Sequence, residues 1–166
     1  MERYKVQKIW LPLLLTLFIG SALCADENTQ EQALVAAAMN GQVDRVQDLL
    51  TQGVDANSKN PVGRSALHLA AFNGNLLTTR SLLSAGADTN LVDDRGITAL
   101  MDASAFGHPK VVELLIQRGV DVNVRDQAGN SALSLATKGG FTTITKILSA
   151  AGAVEDNEEQ SRKGKK

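Results

Sequence analysis

Residues that could do chemistry are few in this chain and lie far apart. The two histidines, His68 and His108, are 40 positions apart, and the one cysteine, Cys24, lies close to the N-terminus. Zinc sites need three or four such ligands, usually at short recognised spacings, so we predict no metal site. The segment Lys138-Gly139-Gly140 reverses the order of a phosphate-binding loop. The sequence therefore predicts a protein without metal, cofactor or catalytic residues.

Charge and composition narrow the class of protein. The 166 residues include 17 Lys and Arg against 18 Asp and Glu, a formal net charge of −1. Nucleic-acid-binding domains usually carry a clear excess of basic residues, and this balance argues against one. Aromatic residues make up only 4% of the chain, which favours thin, helix-rich layers over a thick β core. The length fits a single domain.

Residues 1–25 have the order of a secretory signal peptide. Three basic residues precede an apolar run of 15 residues, 9–23, and small and polar residues follow it. A helix that spans a bilayer needs about 20 apolar residues, so an uncleaved anchor is the weaker alternative. A lipoprotein signal is a third interpretation, which the bulky Leu23 directly before Cys24 disfavours. We expect a periplasmic or secreted protein whose mature part has no membrane span.

The strongest signal in the sequence is an internal repeat of 33 residues. Five registers keep this step: Gly41, Gly74, Gly107 and Gly140; Gly53, Gly86, Gly119 and Gly152; Gly63, Gly96 and Gly129; Leu34, Leu67, Leu100 and Leu133; Leu49, Leu82, Leu115 and Leu148. Repeats of this length are typical of stacked architectures, in which each unit buries its apolar face against the next. The period therefore predicts a solenoid.

Residues 63–90 show the plan of one unit. Ser65 has the type and place of a helix N-cap, and Leu67 and Ala70 follow it at helical spacing. Gly74 lets the chain reverse without the steric cost of a β-carbon. A second helix follows, which a further glycine ends. Each unit is thus predicted to be helix, turn, helix and polar loop.

These residues resemble the ankyrin repeat family, whose unit reads roughly Gly-x-Thr-Pro-Leu-His-x-Ala-Ala and ends in Gly-Ala-Asp-x-Asn. The matching segments are Ser65-Ala66-Leu67-His68-Leu69-Ala70-Ala71 and Gly86-Ala87-Asp88-Thr89-Asn90. The resemblance implies an all-α ankyrin-repeat solenoid of four helix–turn–helix units with short hairpin-like loops. It covers residues 30–156, divided into units 30–60, 61–93, 94–126 and 127–156. We predict a link at 26–29 and a charged flexible tail at 157–166.

Polar residues follow the same register. The family's helix-start histidine, here His68, usually hydrogen-bonds between loops, and His108 stands at another recurrent polar position, so we interpret both as structural. Asp102 occupies a position that varies in the family, and we expect it to be exposed. The last helix carries three polar residues where the first unit has apolar ones, as the end of a stack requires: Thr142, Thr145 and Ser149 replace Val43, Val46 and Leu50.

The resemblance implies that a partner protein binds the concave side of the stack, formed by loop tips and first helices. By register, this surface includes Met39, Val62, Arg64, Phe72, Arg95, Ile97 and Phe106. Aromatic residues and methionine with arginine nearby are the usual anchors of protein interfaces, and we expect both arginines at the rim. The alternative is that Phe72 and Phe106 pack as core.

These features predict a monomeric, non-enzymatic protein-binding module that binds or assists a co-exported partner protein. The resemblance implies support of a stress-defence enzyme, and the predicted export also suits a protein that gives immunity to a toxin. One alternative is a secreted effector that binds a host protein. The other is a hydrolase or metal protein, for which the sequence offers no matching site.

Overall fold

The computed structural model describes residues 28–155, and the predicted signal peptide and tail lie outside them. Within this range the fold is all-α, without strands. Its eight helices are α1, residues 28–39; α2, Val43–Thr51; α3, Ala66–Phe72; α4, Leu76–Ser84; α5, Ala99–Ala105; α6, Pro109–Gln117; α7, Ala132–Lys138; and α8, Thr142–Ala150. None of these helices is long and apolar enough to cross a membrane.

The helices are stacked in two rows. In one, α3, α5 and α7 pack against each other in order, and in the other, α2, α4, α6 and α8 do the same. We call these the first row and the second row. The repeated leucines lie between them in the core, where Leu67, Leu100 and Leu133 are buried. Ala70 and Ala103 are fully buried in the first row, where their small side chains let neighbouring helices approach closely.

Hydroxyl caps define where the first-row helices begin. Ser65, Thr98 and Ser131 each accept a hydrogen bond from a backbone N–H of the first turn. Such caps satisfy donors that a helix leaves unpaired at its start. Isolated β-bridges, Lys59 with Ser65 and Val92 with Thr98, close the preceding loops into hairpin-like turns. Loop and cap together therefore fix the start of α3 and α5, and the Ser131 cap marks the start of α7.

The glycine between the two helices of a unit holds a side chain of the next unit. A β-carbon at Gly74 would lie 2.5 Å from Nδ1 of His108, and one at Gly107 would lie 2.5 Å from the Phe141 ring. Both glycines also have positive φ angles, of 69° and 77°, which side chains disfavour. We call each such glycine, with the side chain against it, a glycine seat. The repeating glycines are thus contacts between units as well as turns within them.

Asparagine side chains join successive loops at a spacing of one unit. Three contacts follow this rule: Oδ1 of Asn57 accepts from the N–H of Asp88 at 2.8 Å, Asn90 from Asp121 at 2.8 Å, and Asn123 from Val154 at 2.9 Å. We call these contacts the asparagine ladder. Because each rung crosses one boundary, the ladder helps to hold the loops in register along the stack.

The two ends of the described chain differ from the middle. Val46, Thr79 and Val112 are fully buried, whereas Thr145 at the same register is partly exposed, which agrees with the predicted polar end. At the other end, residues 28 and 29 are helical, so their assignment to a link was wrong. These polar residues lie in the same helix as Leu34, whose burial anchors it.

Candidate functional site

Phe72 and Phe106 lie together at the C-terminal ends of α3 and α5. Their ring centroids are 4.1 Å apart and the rings are inclined at 53°, a tilted arrangement that aromatic quadrupoles favour over face-to-face stacking. Phe72 is half-buried, whereas Phe106 exposes 50% of its surface. The interpretation of these rings as core therefore fits Phe72 better than Phe106, which leaves half of its surface open to solvent.

Arg64 lies beneath this aromatic pair, in the loop before α3. Its guanidinium carbon is 5.1 Å from the centroid of the Phe72 ring, the geometry of a cation–π contact. Its Nη2 also forms an ion pair with Oδ2 of Asp102, and only 15% of its side chain is exposed. The expectation that Arg64 would stand at the rim was wrong, because the carboxylate of Asp102 holds it inward.

Asp102 is buried in α5, where the sequence led us to expect exposure. Its side chain is 7% exposed. Burial disfavours the charged form and raises the pKa of Asp102 to about 6, although the Arg64 guanidinium beside it acts in the opposite direction. One signal pointed to this burial: Leu69 and Leu135 hold the same register in the neighbouring units. We refer to Arg64, Phe72, Asp102 and Phe106 as the Arg64 cluster.

Three of the other predicted contact residues, Met39, Val62 and Arg95, are exposed. Met39 is 50% exposed at the end of α1, and Val62 is 60% exposed at a loop tip. The side-chain Nδ2 of Asn73 donates to the carbonyl of Met39 at 3.0 Å, which brings the end of α1 beside that of α3. Arg95 exposes most of its side chain, as a rim residue would.

Asp93 shapes the loop that carries Arg95 and Ile97. Its Oδ1 accepts the backbone N–H groups of both residues at 2.9 Å, and Nη2 of Arg95 lies 3.4 Å from Oδ2. Burial opposes ionisation of Asp93, but the hydrogen bonds from Ile97 and Arg95 outweigh it and lower its pKa. Asn60 and Asp126 accept backbone N–H groups in the same way in the neighbouring loops. Ile97 is half-buried in this turn.

Both histidines bind backbone carbonyls of a neighbouring unit. Nε2 of His68 lies 2.8 Å from the Ile97 oxygen, and its Nδ1 lies 2.8 Å from Oγ of Ser65. Burial lowers the pKa of His68, against the effect of the Ile97 carbonyl, so the ring is neutral near pH 7 and donates through Nε2. Nε2 of His108 lies 2.9 Å from the Phe72 oxygen. Within residues 28–155, no group of three or more His, Cys, Asp or Glu side chains is arranged to hold a metal ion.

Comparison with known sequences agrees with this architecture. The sequence model described as ankyrin repeats (3 copies) matches residues 33–126, which is more than half of the chain. No individual curated protein matches the chain. Beyond the matched range, α7 and α8 continue the same helix–turn–helix plan. The stacked helix pairs and the family match lead to one conclusion: the chain belongs to the ankyrin repeat family.

Proposed function

We propose that the chain is a non-enzymatic protein-binding module that acts in the periplasm or outside the cell, where it binds or assists a co-exported partner protein. Ankyrin repeats are generally protein–protein interaction modules, and the family is typically non-enzymatic. The observation that carries the proposal here is Phe106, a large apolar side chain that is half exposed on a rigid helix end. Aromatic residues of this kind are frequent hot spots of protein interfaces.

The surroundings of Phe106 also suit an interface. Phe72 packs against the ring and Arg64 lies over Phe72, so little side-chain freedom remains to be lost when a partner binds. Met39 and Val62 add exposed apolar surface, and Arg95 supplies a charged edge. An apolar centre with a polar rim is the usual composition of a protein interface.

The proposed compartment rests on the sequence alone. Residues 1–25 carry the basic, apolar and small-residue order of a signal peptide. Fractionation of the producing cell, with detection of the chain in the periplasmic or culture fraction, tests this part. Recovery in the cytoplasm would contradict it, and recovery inside a host cell would favour a secreted effector.

Replacement of Phe106 by alanine tests the binding surface. We expect Phe106→Ala to weaken partner binding by roughly 1–3 kcal/mol, as loss of an interface anchor does. Its unfolding free energy is expected to change less than that of Leu115→Ala, where a fully buried side chain is lost and the cavity costs about 2–5 kcal/mol. Affinity capture from periplasmic extract followed by titration of the captured partner measures binding, and urea denaturation measures stability.

Leu77→Ala is the matched control, because Leu77 is an equally apolar residue, 62% exposed, on the second row. It is expected to bind the partner as the unchanged chain does. If Leu77→Ala weakens binding and Phe106→Ala does not, the partner binds another face and the proposed surface is wrong.

A further inference from the structure

Charged and titratable residues lie on the elements that pack against the helix of Asp102. Arg64 pairs with Asp102 from the loop before α3, α3 itself carries His68, and α6 carries Lys110 and Glu113. Asp93 and Arg95 act on Asp102 from the loop before α5. On the other side, the only charged residue of α7 is Lys138, whose ammonium is bonded to Asn130. Arg64 is therefore the group that directly balances the negative charge of Asp102.

The position of the Arg64 side chain depends in turn on the Asp102 carboxylate. Its Nη2 contacts Asp102 and its guanidinium lies over the Phe72 ring, while its Nε is buried without a hydrogen-bond partner. A buried cation that loses its counter-charge is unfavourable unless it moves towards water. Arginine has a long side chain that can reach water from such a position. When Asp102 is neutral, the buried position of Arg64 over Phe72 is therefore unfavourable, and the guanidinium is expected to move towards water.

We propose that the Arg64 cluster is a pH-responsive support for the binding surface. Protonation of Asp102 releases Arg64 from Phe72, and this release shifts the Phe106 ring, which packs on Phe72. The proposal deepens the proposed function and rests on it for the role of Phe106 as an anchor. It adds a regulatory property: the surface has one arrangement with Asp102 charged and another with Asp102 neutral.

The chemistry of the site places this change close to neutral pH. Burial raises the pKa of Asp102 to about 6, with Arg64 opposing. Most exposed carboxylates titrate near pH 4, so a transition near pH 6 stands apart from theirs. Burial lowers the pKa of His68, which is the opposite direction to the change at Asp102.

Fluorine NMR of the full chain, labelled with 4-fluorophenylalanine, tests the proposal. The sequence contains four phenylalanines, so single Phe→Leu variants assign each signal. Between pH 4.5 and 8 we expect the signals of Phe72 and Phe106 to shift together, with a midpoint near pH 6. Asp102→Asn is expected to abolish this transition, and Asp94→Asn, which changes an exposed neighbouring carboxylate, is expected to retain it.

Arg64→Gln gives a second readout that does not depend on the Asp102 variant folding. Without the guanidinium, the carboxyl group loses its main source of charge stabilisation, so its own midpoint, followed by carboxyl carbon NMR, is expected to rise. Signals of Phe72 and Phe106 that stay constant from pH 5 to 7, or that titrate unchanged in Asp102→Asn, would overturn the proposal. Because no partner is present, that outcome would leave the proposed binding function standing.

Discussion

At the residue scale, burial and ion pairing act against each other on Asp102. The carboxylate gains an ion pair with Arg64 but loses nearly all of its water, and the loss of water dominates. Buried ion pairs often gain no net stability for this reason. The main role of the Arg64–Asp102 ion pair is therefore to position Arg64 and Phe72, and it adds little to the free energy of folding.

Asp102 is expected to make the protein less stable as the pH rises. The folded chain holds the proton up to a pKa of about 6, while the unfolded chain releases it near the ordinary value of 3.8. Its stabilising contribution is thus complete below pH 3.8 and is lost as the pH rises through 6. Between pH 4.5 and 7 this loss amounts to about 2 kcal/mol, since one pKa unit corresponds to about 1.36 kcal/mol.

Urea denaturation of the unchanged chain and of Asp102→Asn, at several pH values, measures this effect. The unfolding free energy of the unchanged chain minus that of Asp102→Asn is expected to fall as the pH rises. Contributions of the other titrating groups are common to both chains and cancel in this difference. A difference that stays constant, or that grows towards pH 7, would contradict the raised pKa.

The sequence predicted local roles better than contacts between units. Ser65 as a cap and His68 as a structural residue follow from short-range patterns, and both interpretations agree with the structure. Arg64 and Asp102 are 38 positions apart, so their pairing depends on how α5 lies against the preceding loop. That geometry appears only after the units are stacked, although the leucines at the register of Asp102 already favoured burial.

At the scale of the elements, the helices are too short to be stable alone. Those from α2 to α8 have seven or nine residues, whereas isolated helices below about 12–15 residues are marginal in water. Their stability must come from packing between neighbours, which the 33-residue spacing of glycine and leucine already indicated. The sequence did not show which side chains fill the glycine seats, because asparagine, histidine and phenylalanine all occur there.

Alanine at Gly74 is expected to cost more stability than alanine at Gly86. Both glycines have positive φ, which costs a residue with a side chain roughly 1–2 kcal/mol. At Gly86 a new β-carbon meets no atom within 4 Å, but at Gly74 it would collide with the His108 ring and disturb its bond to Phe72. We expect an extra loss of about 1 kcal/mol, measured by urea denaturation.

A double variant separates the collision from backbone strain. Adding His108→Ala to Gly74→Ala removes the ring, so the two changes together are expected to cost less than their sum, as contacting residues usually do. Equal losses at Gly74 and Gly86, or strict additivity in the double variant, would show that the glycine seat has no energetic role.

At the scale of the whole molecule, the main contacts between the helices of residues 43–150 join neighbouring units. The first-row and second-row contacts join consecutive units, and the asparagine ladder adds one loop contact at three boundaries. Stability in such arrays is approximately the sum of unit and interface contributions. A weakened boundary in the middle therefore affects the molecule more than one at the end.

Asn90→Ala is expected to destabilise the stack by about 1 kcal/mol, since it removes the acceptor of the Asp121 N–H between two internal loops. Asn123→Ala is the control at the end of the stack, because both partners of its side chain, the Val154 N–H and the Gly152 carbonyl, lie in the exposed segment after α8. We expect the control to lose less stability, measured by urea denaturation. A larger loss for Asn123→Ala would contradict this view of the stack.

The glycine seats also bear on how an array of this kind could lengthen by duplication. Asn75 lies against Gly41 and His108 against Gly74, so an inserted copy of residues 61–93 would bring its own asparagine to the glycine upstream and offer its own glycine to His108. The two copies would differ in their ion pair and their ring contact, because Asp102 and Phe106 would reach the downstream Arg64 and Phe72 and leave the upstream ones without these partners. Growth by whole units would thus keep the glycine seats filled, whereas the complete Arg64 cluster would form only in the copy next to α5.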